Sequence, residues 1–345
     1  MNRWAVVLAG GVGSRFWPIS TPARPKQMLP LATSEPLLSD ALSRLAPLVP
    51  PERTLILTNA TLVDSIAALA PSIPRENLIA EPRPAGTAAA LAWAANVIVQ
   101  RGGADAVMLS IHADWAVGDP DGFRAALSRA ADVAEEHGAL VTVGIVPVRP
   151  DPGFGYIQPG EAIADGVRKV ARFIEKPDRS RAEAMVRDGY LWNSGIFVWR
   201  ASDFLAEISA LTPEIAPHLA AHGDDLQGFF AAVTTPISVD VGVLERSRRV
   251  LVLPGDFKWD DVGTWAALRR VRACDDCQNV VHGTVHAVQS HDNVVHTEGN
   301  VVVLYGVSDL VVVCRDGLTL VTTMDRASDL KTLIESLPPH VRDLT

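Results

Sequence analysis

The chain has 345 residues, 48% of them hydrophobic and 21% charged, with a formal net charge of −9. That length and apolar content suffice for a large α/β domain with an appendage and exclude a disordered chain. The acidic balance excludes a protein that coats nucleic acid or an anionic membrane, and three cysteines are too few for a disulfide framework.

In chain order, Met1-Asn2-Arg3-Trp4 opens onto an apolar run of only Ala5 to Ala9. That is short of a signal peptide, and no later run reaches the ~20 residues of a membrane span. A cytoplasmic setting is expected. Trp4–Ala9 reads as a buried strand, and Leu37, Leu38, Ala41, Leu42 and Leu45 recur at helical spacing behind Ser34, a candidate cap. Thr54–Leu57 is the next strand, and Thr87 through Gln100 an alanine-rich helix ended by Gly102. Ala106–Ile111 is a strand, Phe123–His137 a helix and Leu140–Val146 a strand. This alternation predicts a Rossmann-like, mainly parallel sheet with helices on both faces.

Beyond residue 150, Gly153–Gln158, Val167–Ile174 and Gly195–Trp199 read as strands, Arg179–Arg187 as a helix, and another helix runs from near Thr264 to Arg272. From about 279 the texture changes. Val280–Val288, Asn293–Thr297, Asn300–Tyr305, Leu310–Cys314 and Leu318–Thr322 are short, valine-rich and evenly spaced, and predict a β-rich domain closed by a helix at Asp329–Leu337. The expected division is a domain over 1–275 and a β-rich domain over 280–345. Cys274 and Cys277 form a lone C-x-x-C with His282, His286, His291 and His296 downstream, but their spacing matches no zinc pattern and reads as scattered linker and strand residues.

Leu8-Ala9-Gly10-Gly11-Val12-Gly13-Ser14-Arg15 follows directly on the first strand. Glycines there let the backbone approach an anion and aim its N–H groups at it. In an open α/β sheet this turn lies at the carboxyl end of a strand, where ligands bind. Arg15 and Lys26 add fixed positive charge suited to phosphate. The run is neither a dinucleotide fingerprint nor a P-loop, since it lacks G-x-G-x-x-G and G-x-x-x-x-G-K-[ST].

The run from Leu8 to Ser20 and then Arg24-Pro25-Lys26-Gln27 resembles the signature of the sugar nucleotidyltransferases. Within them it is most similar to the mannose-1-phosphate guanylyltransferases, also called GDP-mannose pyrophosphorylases. The resemblance continues in ordered blocks to at least residue 270: Glu81-Pro82 with Gly86-Thr87-Ala88, His112-Ala113-Asp114, Phe154 to Ile157, Phe173 to Pro177, Trp192 to Phe197, Ser238 to Val243 and Trp259 to Trp265.

The resemblance implies that a sugar 1-phosphate attacks the α-phosphorus of a nucleoside triphosphate in line and pyrophosphate leaves. Positioning and charge neutralisation would supply most of the catalysis. It further implies that Leu8, Ala9, Gly10, Gly11 and Gly13 bind the nucleotide, the loop Gly10–Gly13 holding its triphosphate, that Arg15 contacts the departing pyrophosphate, and that Lys26 stabilises charge on the α-phosphoryl oxygens. Asp114 and Asp261 would hold one Mg²⁺. At Asp114 the block departs from the family: His112 stands where proline is usual and Trp115 where histidine is usual.

Glu81 carries a chemical argument of its own. Guanine presents two adjacent donors, N1–H and the 2-amino group, and one carboxylate accepts both. With Gly86 and Thr87 lining the pocket, Glu81 points to GTP; the other reading is a surface glutamate before a proline. For the sugar phosphate, Gly155, Glu175, Lys176 and Asn193 are the candidates, although Glu175-Lys176 alone also reads as a solvated charge pair. Asp240 is a further candidate near the sugar or metal.

The expected substrates are therefore GTP and mannose 1-phosphate. Glucose 1-phosphate with UTP or dTTP is the nearest alternative, and a non-catalytic regulatory protein on the same fold the more distant one. The β-rich segment either packs on the catalytic domain or builds an oligomer such as a homodimer. Long bacterial relatives carry an isomerase domain beyond this point, for which a chain ending at Thr345 leaves no room.

Overall fold

The computed structural model describes residues 2–11 and 14–342, Ser14 by its backbone only. Its strands are β1 (Arg3–Leu8), β2 (Thr54–Asn59), β3 (Leu78–Glu81), β4 (Val107–His112), β5 (Ala116–Val117), β6 (Leu140–Ile145), β7 (Tyr156–Ala164) and β8 (Val167–Ile174). They continue as β9 (Leu191–Arg200), β10 (Val250–Gly255), β11 (Trp259–Asp260), β12 (Val280–Val288), β13 (Val294–Tyr305), β14 (Leu310–Arg315) and β15 (Leu318–Thr323). The helices are α1 (Leu37–Leu45), α2 (Val63–Leu69), α3 (Thr87–Gly102), α4 (Pro120–His137), α5 (Arg179–Arg187) and α6 (Ala201–Leu211). After them come α7 (Ala216–His222), α8 (Leu226–Ala232), α9 (Leu268–Val271), α10 (Leu330–Ser336) and α11 (Pro339–Arg342).

The chain forms two compact units. One comprises Met1–Gly10, Leu42–His112 and Asp119–Phe257; the other comprises Gly11–Ala41, Ala113–Gly118 and Lys258–Thr345.

The first unit is built on a nine-stranded sheet in the order β3-β2-β1-β4-β9-β6-β10-β8-β7. The pairs β1–β2, β2–β3, β1–β4 and β6–β10 are parallel, while β9 and β8 run against their neighbours. The sheet is thus mixed and mainly parallel. Strand β1 shows the pattern of a strand covered on both faces: Val6 and Val7 point to opposite sides and both are fully buried. Helix α3 is apolar on every side over Ala88 to Ala95, all buried, because that stretch lies within the core formed with α6 and the sheet. Gly102, expected to end α3, is its last helical residue. The cap is Gly103, at φ +84°, and a Cβ on Gly102 would stand 2.6 Å from the Trp4 ring nitrogen.

The second unit holds the two-stranded pair β5–β11 and the four-stranded sheet β12-β13-β14-β15. Strands β12, β13 and β14 are parallel and β15 returns antiparallel. Each parallel strand is entered through a residue in the left-handed region: Gln278 (φ 62°), Asp292 (φ 60°) and Asp309 (φ 55°). Buried asparagines link successive coils. Asn279 Oδ1 accepts from the Asn293 backbone N–H at 3.0 Å, and Asn293 Oδ1 accepts from that of Leu310 at 3.0 Å. The segments expected as two strands, 293–297 and 300–305, are one long β13. Its pairing with β12 shifts between His282 and Thr284, where Gly283 and Gly299 turn the corner at φ +88° and +86°. One core joins this sheet to the N-terminal loop: Phe16, Trp17, Ile19, Leu29 and Leu31 pack with Val262, Trp265, Leu268, Val294, Val311 and Val313. Among the described residues no helix is long and apolar enough to cross a membrane.

Candidate active site

In the second unit, Lys26 opens a short 3-10 turn after Pro25 and is only 8% exposed. Its Nζ donates to Asp114 Oδ2 at 3.0 Å and to the main-chain oxygen of Asp261 at 2.5 Å. Both aspartate segments reach Lys26 because of one small piece of sheet. Strands β5 and β11 pair antiparallel, Trp259 opposite Val117 and Asp260 opposite Ala116. Asp114 precedes β5 and Asp261 follows β11, so the pairing sets both segments beside Lys26.

Asp260 fixes the local shape. Its carboxylate accepts a forked pair from Arg270, at 2.6 and 3.0 Å, and the Val262 backbone N–H at 2.9 Å. Val262 is fully buried and sits at φ 47°, a conformation costing a β-branched residue about 1–3 kcal/mol. That turn presents Asp261. Trp115 is buried and meets Trp259 edge-on at 5.8 Å. Arg15 is exposed in a 3-10 turn over Ser14–Phe16, anchored by buried Phe16 and Trp17.

Leu8 ends β1, and Ala9 donates to Leu57 O at 2.8 Å. At Gly10 and Gly11 a Cβ would meet none of the described residues within 4 Å. Packing among the described residues therefore does not explain these glycines. Gly13 lies outside the described residues.

In the first unit, Glu81 closes β3. Burial pushes its carboxyl up to about 7. The loop after it is held by Arg83, which donates to the carbonyls of Phe230 (2.7 Å), Ala231 (3.0 Å) and Val233 at the end of α8. Gly86 stands at φ +85°, where a Cβ would be 2.3 Å from Ile237 O. Thr87 Oγ1 accepts from the Val239 backbone N–H at 2.9 Å. Gly86 and Thr87 thus dock the start of α3 onto residues 237–239.

That segment leads into a π-helical turn, Asp240–Leu244. Asp240 Oδ1 accepts from Asn193 Nδ2 at 2.7 Å, and Asn193 N donates to Gly155 O at 2.8 Å. A Cβ on Gly155 would stand 2.8 Å from Glu175 Oε2. Gly155, Glu175, Asn193 and Asp240 therefore form one group. Lys176 extends from it at φ 42°, paired with Glu175 at 3.0 Å and largely exposed. Burial pushes the Asp240 carboxyl up against the Asn193 hydrogen bond; the Glu175 charge adds to the rise and His112 opposes it. Beside this group, Arg149 lies over the Trp192 ring at 5.0 Å and the Phe154 ring at 5.7 Å.

Residues 4–278 match the model of the nucleotidyl transferase family. The chain belongs to that family. Residues 283–337 match a second model, the mannose-phosphate isomerase/GMP-like β-helix domain, in agreement with the coiled sheet β12–β15. The mannose-1-phosphate guanylyltransferase of Salmonella muenchen is 35% identical over 98% of this chain and 74% of its own length. That of Escherichia coli strain K12 is 36% identical over 97% and 73%. A solved structure from Thermus thermophilus, described as a mannose-1-phosphate geranyltransferase, superposes with a TM-score of 0.89 at 36% identity, covering 97% of this chain and 99% of that one. This chain is thus a nucleotidyltransferase, and its fold is that of the family with a β-helical appendage.

Sequence reasoning did not single out Arg83, Arg149 or Asp260 for a role. Arg83 between two prolines and the Asp260-Asp261 doublet are the signals that were there to be read.

Proposed function

We propose that this nucleotidyltransferase transfers the guanylyl group of GTP to mannose 1-phosphate. A phosphate oxygen of the sugar phosphate attacks the α-phosphorus, the bond to the β-phosphate oxygen breaks, and pyrophosphate carries away the electron pair. The observation that carries the reaction class is the set around Lys26, one buried ammonium touching both Asp114 and Asp261. Lys26 neutralises charge on the α-phosphoryl oxygens, and Arg15 meets the pyrophosphate. The absence of described residues within 4 Å of a Cβ at Gly10 or Gly11 supports the loop as the triphosphate cradle. Asp114 and Asp261 are hard oxygen donors of the kind Mg²⁺ takes, and they would hold it. When bound, that ion supplies charge neutralisation on the phosphates.

Glu81 supports guanine, because its carboxylate can accept both donors of the Watson–Crick edge. Gly155, Glu175, Lys176 and Asn193, with Asp240, support a polyhydroxylated sugar phosphate, and the names of relatives about one-third identical support mannose. Free thiols at all three cysteines are consistent with a cytoplasmic enzyme.

The test is a matrix of GTP, ATP, UTP and dTTP against mannose and glucose 1-phosphates, with Mg²⁺ or with chelator, scored by pyrophosphate release. Turnover confined to GTP with mannose 1-phosphate and lost with chelator is expected. Turnover confined to UTP or dTTP would overturn the base and leave the reaction class intact.

A further inference from the structure

Arg24 has no part in the proposed reaction, yet it is held at both ends. Its backbone N–H and C=O both pair with Thr21 at 3.1 Å, and the N–H also donates to Thr21 Oγ1 at 3.0 Å. Its Nη1 donates to both oxygens of Glu298, at 3.0 and 2.9 Å. Glu298 lies far along the chain, in β13 beside the corner at Gly299.

Glu298 is itself fixed. His296 Nε2 is 3.3 Å from Oε1 and Arg315 Nε 3.6 Å from Oε2. His296 is fully buried, stacked on His282 at 4.3 Å with its ring 5.7 Å from that of Trp265. Arg315 braces the same loop a second time, donating to Ile19 O at 2.9 Å. The His296 hydrogen bond and Arg24 hold the Glu298 carboxyl at about 2, so it stays ionised throughout the neutral range.

Only Pro25 separates Arg24 from Lys26. Its ring fixes φ, here −69°, which leaves little slack between the two residues. We propose that Glu298 is a positioning residue: by clamping Arg24 it holds Lys26 on Asp114 and on the Asp261 carbonyl. This rests on the role given to Lys26 above. It gives the β-helical sheet a part in the chemistry, since its β13 steadies the lysine that faces the α-phosphate.

Glu298→Gln and Arg24→Gln break the clamp from its two sides, and either one suffices if the other fails to fold. The first readout needs no turnover: limited acetic anhydride acetylation of the full chain, with Lys26 quantified by peptide mass spectrometry against exposed Lys331. Lys26 acetylation is expected to rise about threefold or more as its environment opens. The second readout is kinetic. The kcat should fall about tenfold with both KM values within about twofold, and Glu298→Gln should lower kcat no further in a Lys26→Ala background. Unchanged Lys26 acetylation, or a Glu298→Gln effect that multiplies fully on Lys26→Ala, would overturn the proposal. If wild type releases no pyrophosphate from any substrate pair, the proposed function fails and the acetylation still decides whether Glu298 positions Lys26.

Discussion

Replacing Glu81 by Gln tests the base assignment most directly. The carboxylate accepts two donors from guanine, whereas glutamine offers one acceptor and turns its own N–H toward the second donor. Losing one charge-assisted hydrogen bond and creating a donor–donor contact costs about 1.5–3 kcal/mol, or roughly 10- to 100-fold in kcat/KM for GTP. A second signature follows from burial, which raises the Glu81 carboxyl to about 7. Only the ionised form accepts both donors, so GTP use should strengthen as pH rises through 7. The ionised fraction grows about tenfold between pH 6 and 8. The assay is kcat/KM for GTP and for UTP across that range. Glu81→Gln, with no carboxyl to titrate, serves as the reference that cancels ionisation of the nucleotide itself. If the ratio of wild type to variant stays flat with pH, or the variant keeps full preference for GTP, Glu81 does not read the base.

Other outcomes follow from the same geometry. Asp261→Asn should lower kcat by about a hundredfold and raise the Mg²⁺ concentration needed for half-maximal rate, checked by metal titration. Asp260→Ala removes the acceptor shared by the Val262 N–H and the half-exposed Arg270 guanidinium and should destabilise the fold by about 1–3 kcal/mol in urea unfolding. Thr87→Val removes only the acceptor for the Val239 N–H and should cost about 1–3 kcal/mol, read the same way.

The sequence made the layered α/β sheet legible because its strands are continuous apolar runs between turn signals. Trp4–Ala9, Leu140–Val146 and Arg179–Arg187 stand within a residue or so of the observed elements. Residues 201–255 were not legible. There α6, α7, α8 and β10 lack strong punctuation, and the π turn that carries Asp240 has no sequence signature. The β-rich segment was legible as strands but not as a coil. Its parallel pairing depends on left-handed Gln278, Asp292 and Asp309, residues whose identity does not announce a positive φ. Among site residues, Asp114 and Asp261 stood out only through their motifs. What joins them, the short β5–β11 pair, is too brief to leave a period in the sequence. Gly86 was read as lining a pocket; its backbone meets Ile237, a contact 151 positions away that no local pattern could reveal.

The contacts of Lys26 also have a kinetic side. One partner, the Asp261 carbonyl, lies 235 positions along the chain, farther than any strand pairing of the large sheet. Closing loops of that length is slow and comes after local structure has formed. During refolding, the helical signal and the burial of tryptophans in the large sheet should therefore return first. Pyrophosphate release should return last, with the arrival of residues 258–261, so that a chain can look native to spectroscopy before it is competent to react.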